Sequence, residues 1–256
     1  MPQPASRLPA VVFLHGIGGA ARVWRPQLAA FAAAGFPALA LDLVGYGQRP
    51  AVTVMDFEAL AADVEAQIAQ HSLERPVLVG HSLGGMVAQT ALRRQPNGYS
   101  AVILVATSPA FGNPDGAFQR KFVSDRLAPL ERGQSLRDRA AAIVAGIIGP
   151  APDPDGHALA VAAMSAVHPD TYGAAVRCLV GFDERANLAA IRIPVLCLAG
   201  GHDRNAPAPM LARMAGKIPG ACYHCLAAVG HLANLEAPAA FNAACLQFLH
   251  RTFKPS

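Results

Sequence analysis

Residues 76–85 read Pro76-Val77-Leu78-Val79-Gly80-His81-Ser82-Leu83-Gly84-Gly85, and this stretch decides the fold. Pro76 to Val79 is a short apolar run opened by proline, the pattern of a fully buried strand. The residues from Leu83 to Gln95 carry helical periodicity. Between them a serine sits in Gly-x-Ser-x-Gly, the spacing of a sharp strand-to-helix turn in which the two positions flanking Ser82 at a distance of two must be nearly free of side chain. The helix that follows points its positive end at Ser82, which favours negative charge developing there. This context separates the motif from a chance pentapeptide and makes Ser82 a candidate nucleophile.

Working outward, apolar runs alternate with amphipathic stretches as a parallel sheet with crossover helices requires. Strands are predicted at Val11 to Leu14, Ala38 to Leu41, Val77 to Val79, Val102 to Val105, Val195 to Ala199 and Cys222 to Leu226. Helices are predicted at Arg22 to Ala34, Met55 to His71, Leu83 to Gln95, Pro207 to Lys217 and Pro238 to Arg251. From about Phe111 to about Ala190 no strand-like run occurs, and apolar residues recur at helical spacing between Pro and Gly breaks. That interval is too long for a loop and reads as a helical cap on the carboxyl edge of the sheet, where open α/β sheets bind ligands. The expected organisation is a core of residues 1–110 and 191–256 with a helical cap over 111–190.

A serine hydroxyl needs a base, and the base needs an acid to fix its tautomer. His231, in Val229-Gly230-His231, follows the last predicted strand and precedes the last helix, on the edge where Ser82 emerges. Asp203, in Ala199-Gly200-Gly201-His202-Asp203, occupies the matching loop after the preceding strand, and the chain order Ser, Asp, His suits the fold. Asp42 and Asp183 are weaker rivals by position. His15 and His81 read as flanking residues of two turns. Attack on a carbonyl also requires amides aimed at the developing oxyanion. The Leu83 amide, directly after the nucleophile, is one candidate. The Ile17 amide, in the turn His15-Gly16-Ile17-Gly18-Gly19, is the other; that turn lacks the lysine and spacing of a phosphate loop.

Composition sets the surroundings. The chain has 256 residues, 53% hydrophobic and 15% charged, enough apolar surface for a sizeable interior. A formal charge of +4 with Lys and Arg scattered along the chain argues against a nucleic-acid partner. Neither a signal-peptide stretch nor an uninterrupted membrane-spanning run is present, so the expectation is a cytoplasmic protein without a membrane partner. The five cysteines, Cys178, Cys197, Cys222, Cys225 and Cys245, show no disulfide spacing, and the lone CxxC of Cys222 and Cys225 lies in a strand with no second pair for zinc.

The motifs HGIGG (15–19), DLVGYG (42–47), GHSLGGMVAQ (80–89), AGGHD (199–203) and GHLANLEAP (230–238), in this order, resemble the alpha/beta-hydrolase superfamily over nearly the whole chain. The stretch from Met164 through Asp203 and the ending from His231 to Pro238 look like 3-oxoadipate enol-lactonases and related small carboxylesterases. The resemblance implies Ser82, Asp203 and His231 as the catalytic triad, a small ester or lactone as substrate, and no metal or organic cofactor. Two departures accompany it. The first turn begins at His15, leaving no room for the hairpin of two strands that usually precedes it, so about six strands are expected. DLVGYGQRP has Gln48 and Arg49 where a serine commonly closes the turn. With the hairpin gone, Ala38 to Leu41 or its replacement becomes an edge needing cover from Pro2 to Leu8 or from a homodimer. Carbon–carbon bond hydrolysis and perhydrolysis are alternatives on the same residues. A non-catalytic binding protein would require a damaged site, and every element of this one is intact.

Overall fold

The structure, a computed structural model, describes residues 8–113 and 115–253. Six strands form one wholly parallel sheet: β1 (Val11–Leu14), β2 (Ala38–Leu41), β3 (Val77–His81), β4 (Ala101–Val105), β5 (Val195–Gly200) and β6 (Cys222–Leu226). The spatial order is β2-β1-β3-β4-β5-β6. β1, β3, β4 and β5 are buried from end to end, which is why they read as continuous apolar runs and not as alternating ones. β2 and β6 are the edges, and β6 leaves Cys222 and Cys225 exposed. Register is close-set: Gly80 pairs with Leu14 on one side and Leu104 on the other.

Helices α1 (Arg25–Ala33), α2 (Phe57–Gln70) and α3 (Leu83–Arg94) cross between the first four strands. The helix expected from Arg22 begins later than the periodicity implies. Ala21–Trp24 is a 3₁₀ turn, in which the Arg25 amide bonds to the Arg22 carbonyl. Pro26 explains the offset, because a continuous α-helix would require its missing N–H to bond to that same carbonyl. Asp56 caps α2 by accepting from the Ala59 amide at 2.8 Å. Trp24, Phe13, Phe31 and Phe241 pack in the interior on one side of the sheet, with Phe13 and Trp24 ring centroids 4.9 Å apart.

Between β4 and β5 the chain forms α4 (Ala117–Glu131), α5 (Leu136–Ala145), α6 (Pro154–Ser165) and α7 (Pro169–Leu179), then a 3₁₀ turn at Arg185–Ala190. After β5 come α8 (Ala208–Ala215), the short α9 (Ala233–Glu236) and α10 (Pro238–Phe253). Among the described residues no helix is long and apolar enough to cross a membrane. Among the described strands β2 is outermost, next to β1. Most of the segment expected to cover it, residues 2–7, lies outside the described residues; Leu8 is half-buried and packs beside Gly35.

Candidate active site

Ser82 stands at the join of β3 and α3 with φ 52° and ψ −115°, a backbone conformation that L-residues with side chains rarely adopt. Three contacts hold it there. Its amide donates to the Val105 carbonyl at 2.9 Å, its carbonyl accepts from the Thr107 hydroxyl at 2.8 Å, and α3 starts on that same carbonyl through the Gly85 and Met86 amides. The two glycines are steric requirements. A Cβ on Gly80 would lie 2.4 Å from the Gly84 carbonyl oxygen, and one on Gly84 would lie 2.3 Å from that of Leu14.

Loops after β5 and β6 bring the two other predicted residues to the serine. His231 Nδ1 donates to Asp203 Oδ2 at 2.7 Å, and the Ser82 hydroxyl faces His231 Nε2 at 3.1 Å. Both side chains are buried. The second oxygen of Asp203 accepts from the amides of Asn205 and Ala206 at 2.8 and 3.0 Å. Burial by itself would raise the Asp203 pKa, but His231 and these two amides outweigh it and hold the carboxyl below its ordinary value. The rivals are engaged elsewhere: Asp183 pairs with Arg185 on the surface, and Asp42 accepts from the Ala21 amide.

The turn after β1 faces the serine from the other side. The Gly16 carbonyl accepts from the Gly19 amide at 3.0 Å and from His15 Nδ1 at 2.8 Å. Because the peptide is trans, fixing this carbonyl turns the Ile17 amide the opposite way. Gly16, Ile17 and Gly18 line the same cavity as Ser82. The Leu83 amide, as the first N–H of α3, has no carbonyl one turn back to bond.

His15 and His81, read from sequence as flanking residues, are braces. His15 Nε2 accepts from the Leu43 amide at 3.2 Å, so the ring is a neutral imidazole with both nitrogens spent on backbone. Burial pushes its pKa down to about 4, against the opposing pull of the Gly16 carbonyl and Asp42. His81 Nε2 donates to the His231 carbonyl at 2.8 Å, and burial, with His231 adjacent, pushes it to about 3. Sequence reasoning also passed over Glu236, whose carboxylate meets the backbone around His231. The glutamate lies within the quoted GHLANLEAP, but nothing along the chain states which amides it would reach.

The cavity over Ser82 has a volume of about 600 Å³. Its floor is formed by the sheet-edge loops, and its walls by Phe111, Phe122, Val144, Met164, Tyr172 and Leu179 from the interval between β4 and β5. Four charged side chains reach it. Lys121 and Asp125 pair with each other at 2.8 Å, while Arg126 and Arg204 have no carboxylate partner among the described residues. The Arg126 guanidinium lies over the Phe122 ring, 3.4 Å from its centroid.

Residues 11–244 match the sequence profile of the alpha/beta hydrolase family. The chain belongs to that family. A 2-succinyl-6-hydroxy-2,4-cyclohexadiene-1-carboxylate synthase of Serratia proteamaculans (strain 568) is 30% identical to this alpha/beta hydrolase, covering 94% of this chain and 93% of its own length. A hydrolase from Pseudomonas aeruginosa PA01 is 27% identical and superposes with a TM-score of 0.84 over 96% of this chain and 92% of that one. The enol-lactonase from Burkholderia xenovorans LB400 superposes with a TM-score of 0.82 over 96% and 93%, at 22% identity, a likeness of fold.

Proposed function

We propose that this alpha/beta hydrolase cleaves a small carboxylic ester or lactone through an acyl-enzyme on Ser82. The observation that carries the reading is the alignment of Asp203, His231 and Ser82 through contacts of 2.7 and 3.1 Å at the floor of an apolar cavity. In this reaction Ser82 Oγ attacks the carbonyl as His231 Nε2 takes its proton, and Asp203 stabilises the imidazolium through Nδ1. The tetrahedral oxyanion is met by the amides of Ile17 and Leu83 and by the positive end of α3. Collapse expels the alcohol with the proton returned by His231, and a water activated by the same imidazole releases the acid. In a lactone the alcohol and acid are two ends of one product. Residues 111–190 act as a cap that shapes the acyl pocket.

The cavity's charges narrow the substrate. Arg126 and Arg204 give the lining an uncompensated positive character, which favours a substrate bearing a negative group and disfavours a cationic one. An enol-lactone with an acidic side chain meets this description. The test is a panel of aryl esters of graded acyl length, each with and without a terminal carboxylate, together with an enol-lactone. Preference for the acidic members supports the reading; no turnover of any ester or lactone removes it. Carbon–carbon bond cleavage on the same three residues is a second reading, because the fold alone does not select the reaction. Including a vinylogous diketone in the panel separates the two.

A further inference from the structure

Glu236 ends the short helix α9, five residues after His231, and is 5% exposed. Among the described residues, every hydrogen-bond partner of its carboxylate is a backbone amide. Oε2 accepts from Gly230 at 2.8 Å and from Gly149 at 2.7 Å, and Oε1 accepts from Leu232 at 2.8 Å. Between the two amides of the histidine loop, the His231 N–H donates to the Ile147 carbonyl at 2.8 Å, and the His231 carbonyl accepts from His81. Three consecutive amides, 230 to 232, are therefore committed.

Gly149 and Ile147 belong to the connection between α5 and α6, not to the sheet. That connection is pressed against the histidine loop so closely that a Cβ on Gly230 would lie 2.5 Å from the Gly149 nitrogen. The Asp153 amide, at the start of α6, donates to the Glu236 carbonyl at 2.8 Å. One residue thus joins two segments far apart in sequence, at the point where the imidazole is carried.

We propose that Glu236 is a positioning residue for His231: its carboxylate fixes the peptide units on both sides of the histidine and ties them to residues 147–149, so that the cap helices share in setting the reach of the imidazole to Ser82. The proposal rests on the reading of His231 as the base. A filler of the same space would not need a charge, because burying a carboxylate costs several kcal/mol unless hydrogen bonds offset it. Here the charge has a use. A carboxylate offers acceptors on both oxygens, so it holds Gly149 and Gly230 with one and Leu232 with the other, and N–H bonds to an anion are stronger than neutral ones. Glutamine has a single acceptor. Its carbonyl would turn to the two glycine amides and its NH₂ would confront the Leu232 N–H, donor against donor. The peptide immediately after His231 would be released.

The experiment compares Glu236→Gln with the unaltered protein in kcat, KM and phosphonate labelling of Ser82. It also follows the low-field Nδ1 proton of His231 by NMR. The expected result is a folded protein with kcat lowered on the order of 100-fold, the scale of loss from a small misplacement of a reacting group. KM should be nearly unchanged, labelling slower, and the His231 proton shifted or broadened. Gly149→Ala is the second variant. Its Cβ would lie 2.7 Å from the Ala228 carbonyl oxygen, 3.0 Å from the Gly230 nitrogen and 3.1 Å from Glu236 Oε2, pushing the connection off both the histidine loop and the carboxylate that ties them while leaving the carboxylate chemically intact. It should lower kcat in the same direction, and it decides the matter if Glu236→Gln does not fold. Unchanged kcat and an unchanged His231 proton in either folded variant, even with a lower melting temperature, would overturn the proposal. Failure of the unaltered protein to label or turn over would instead count against the proposed function, and the proton comparison would still test the clamp.

Discussion

His15 and His81 differ from His231 less in burial than in the company their ring nitrogens keep. All three are less than a tenth exposed and stand at the carboxyl edge of the sheet. The first two spend their ring hydrogen bonds on the main chain: His15 on Gly16 and Leu43, His81 on the His231 carbonyl. His231 bonds to side chains, a carboxylate on one nitrogen and a hydroxyl on the other. A backbone carbonyl gives a buried ring no full charge to compensate protonation, so desolvation prevails and the ring stays neutral. A carboxylate does compensate it. The difference separates the histidine proposed as proton carrier from the two that brace the backbone, though all three lie in motifs next to glycine.

This comparison breaks if the relay is not the seat of chemistry. Ser82→Ala is expected to lower turnover by roughly 10⁵–10⁶-fold, as loss of the nucleophile does in other serine hydrolases. An organophosphonate should label Ser82 stoichiometrically, with the adduct located by peptide mass spectrometry; labelling at another serine would move the site. Asp203→Asn should leave the fold intact and cost roughly 10²–10⁴-fold in kcat, by analogy with triad aspartates. Full activity in that variant would return Asp183 to consideration.

The braces are tested by stability as a function of pH. For His15 and His81 the folded pKa, about 4 and about 3, lies below the unfolded value of 6.5. As pH falls below 6.5 the unfolded chain takes up protons that the native state refuses. Stability therefore declines from pH 6.5 down to about 4 for His15 and about 3 for His81, by about 1.4 kcal/mol per pH unit for each ring. Asp203, held below its ordinary value, contributes stability that is lost at still lower pH, in the same direction. Denaturant titrations at pH 7, 6, 5 and 4.5 should show this slope, and His81→Phe should reduce it by about one proton's worth. A flat profile would mean that the two rings are not held neutral. The smallest effect is expected at 25 °C and pH 7, where His81→Phe leaves the His231 carbonyl without its donor, a loss of about 1–3 kcal/mol.

Sequence alone reached the strands to within one or two residues. Val11 to Leu14 and Ala101 to Val105 are continuous apolar runs between breakers, and such runs report burial directly. Ser82, Asp203 and His231 were legible because each sits in a turn whose glycines mark a strand end. The braces were not legible for a physical reason. His81 meets a carbonyl 150 residues away, His15 an amide 28 residues on, and Glu236 an amide 87 residues back. No local spacing encodes such meetings; they exist only once the sheet has assembled its edge. The delayed start of α1 was legible in principle, since Pro26 forbids the earlier register.

One further feature bears on how such a molecule diversifies. β4 and β5 are neighbours in the sheet although the long helical excursion separates them in sequence. At its base the departing and returning chains are clasped: Ala110 bridges Asp183, the Phe111 amide bonds to the Phe182 carbonyl, and the Glu184 amide bonds to that of Pro109. A stretch pinned at both ends is a cassette. Its length enters the closure entropy only logarithmically, so whole cassettes of different size can be exchanged at this clasp while the sheet beneath keeps its register. If the proposed clamp holds the histidine, the exchange has a condition. An incoming cassette must present a carbonyl where that of Ile147 now meets the His231 amide and an amide where Gly149 now meets Glu236, or the recipient gains a new pocket with a looser hold on its own histidine.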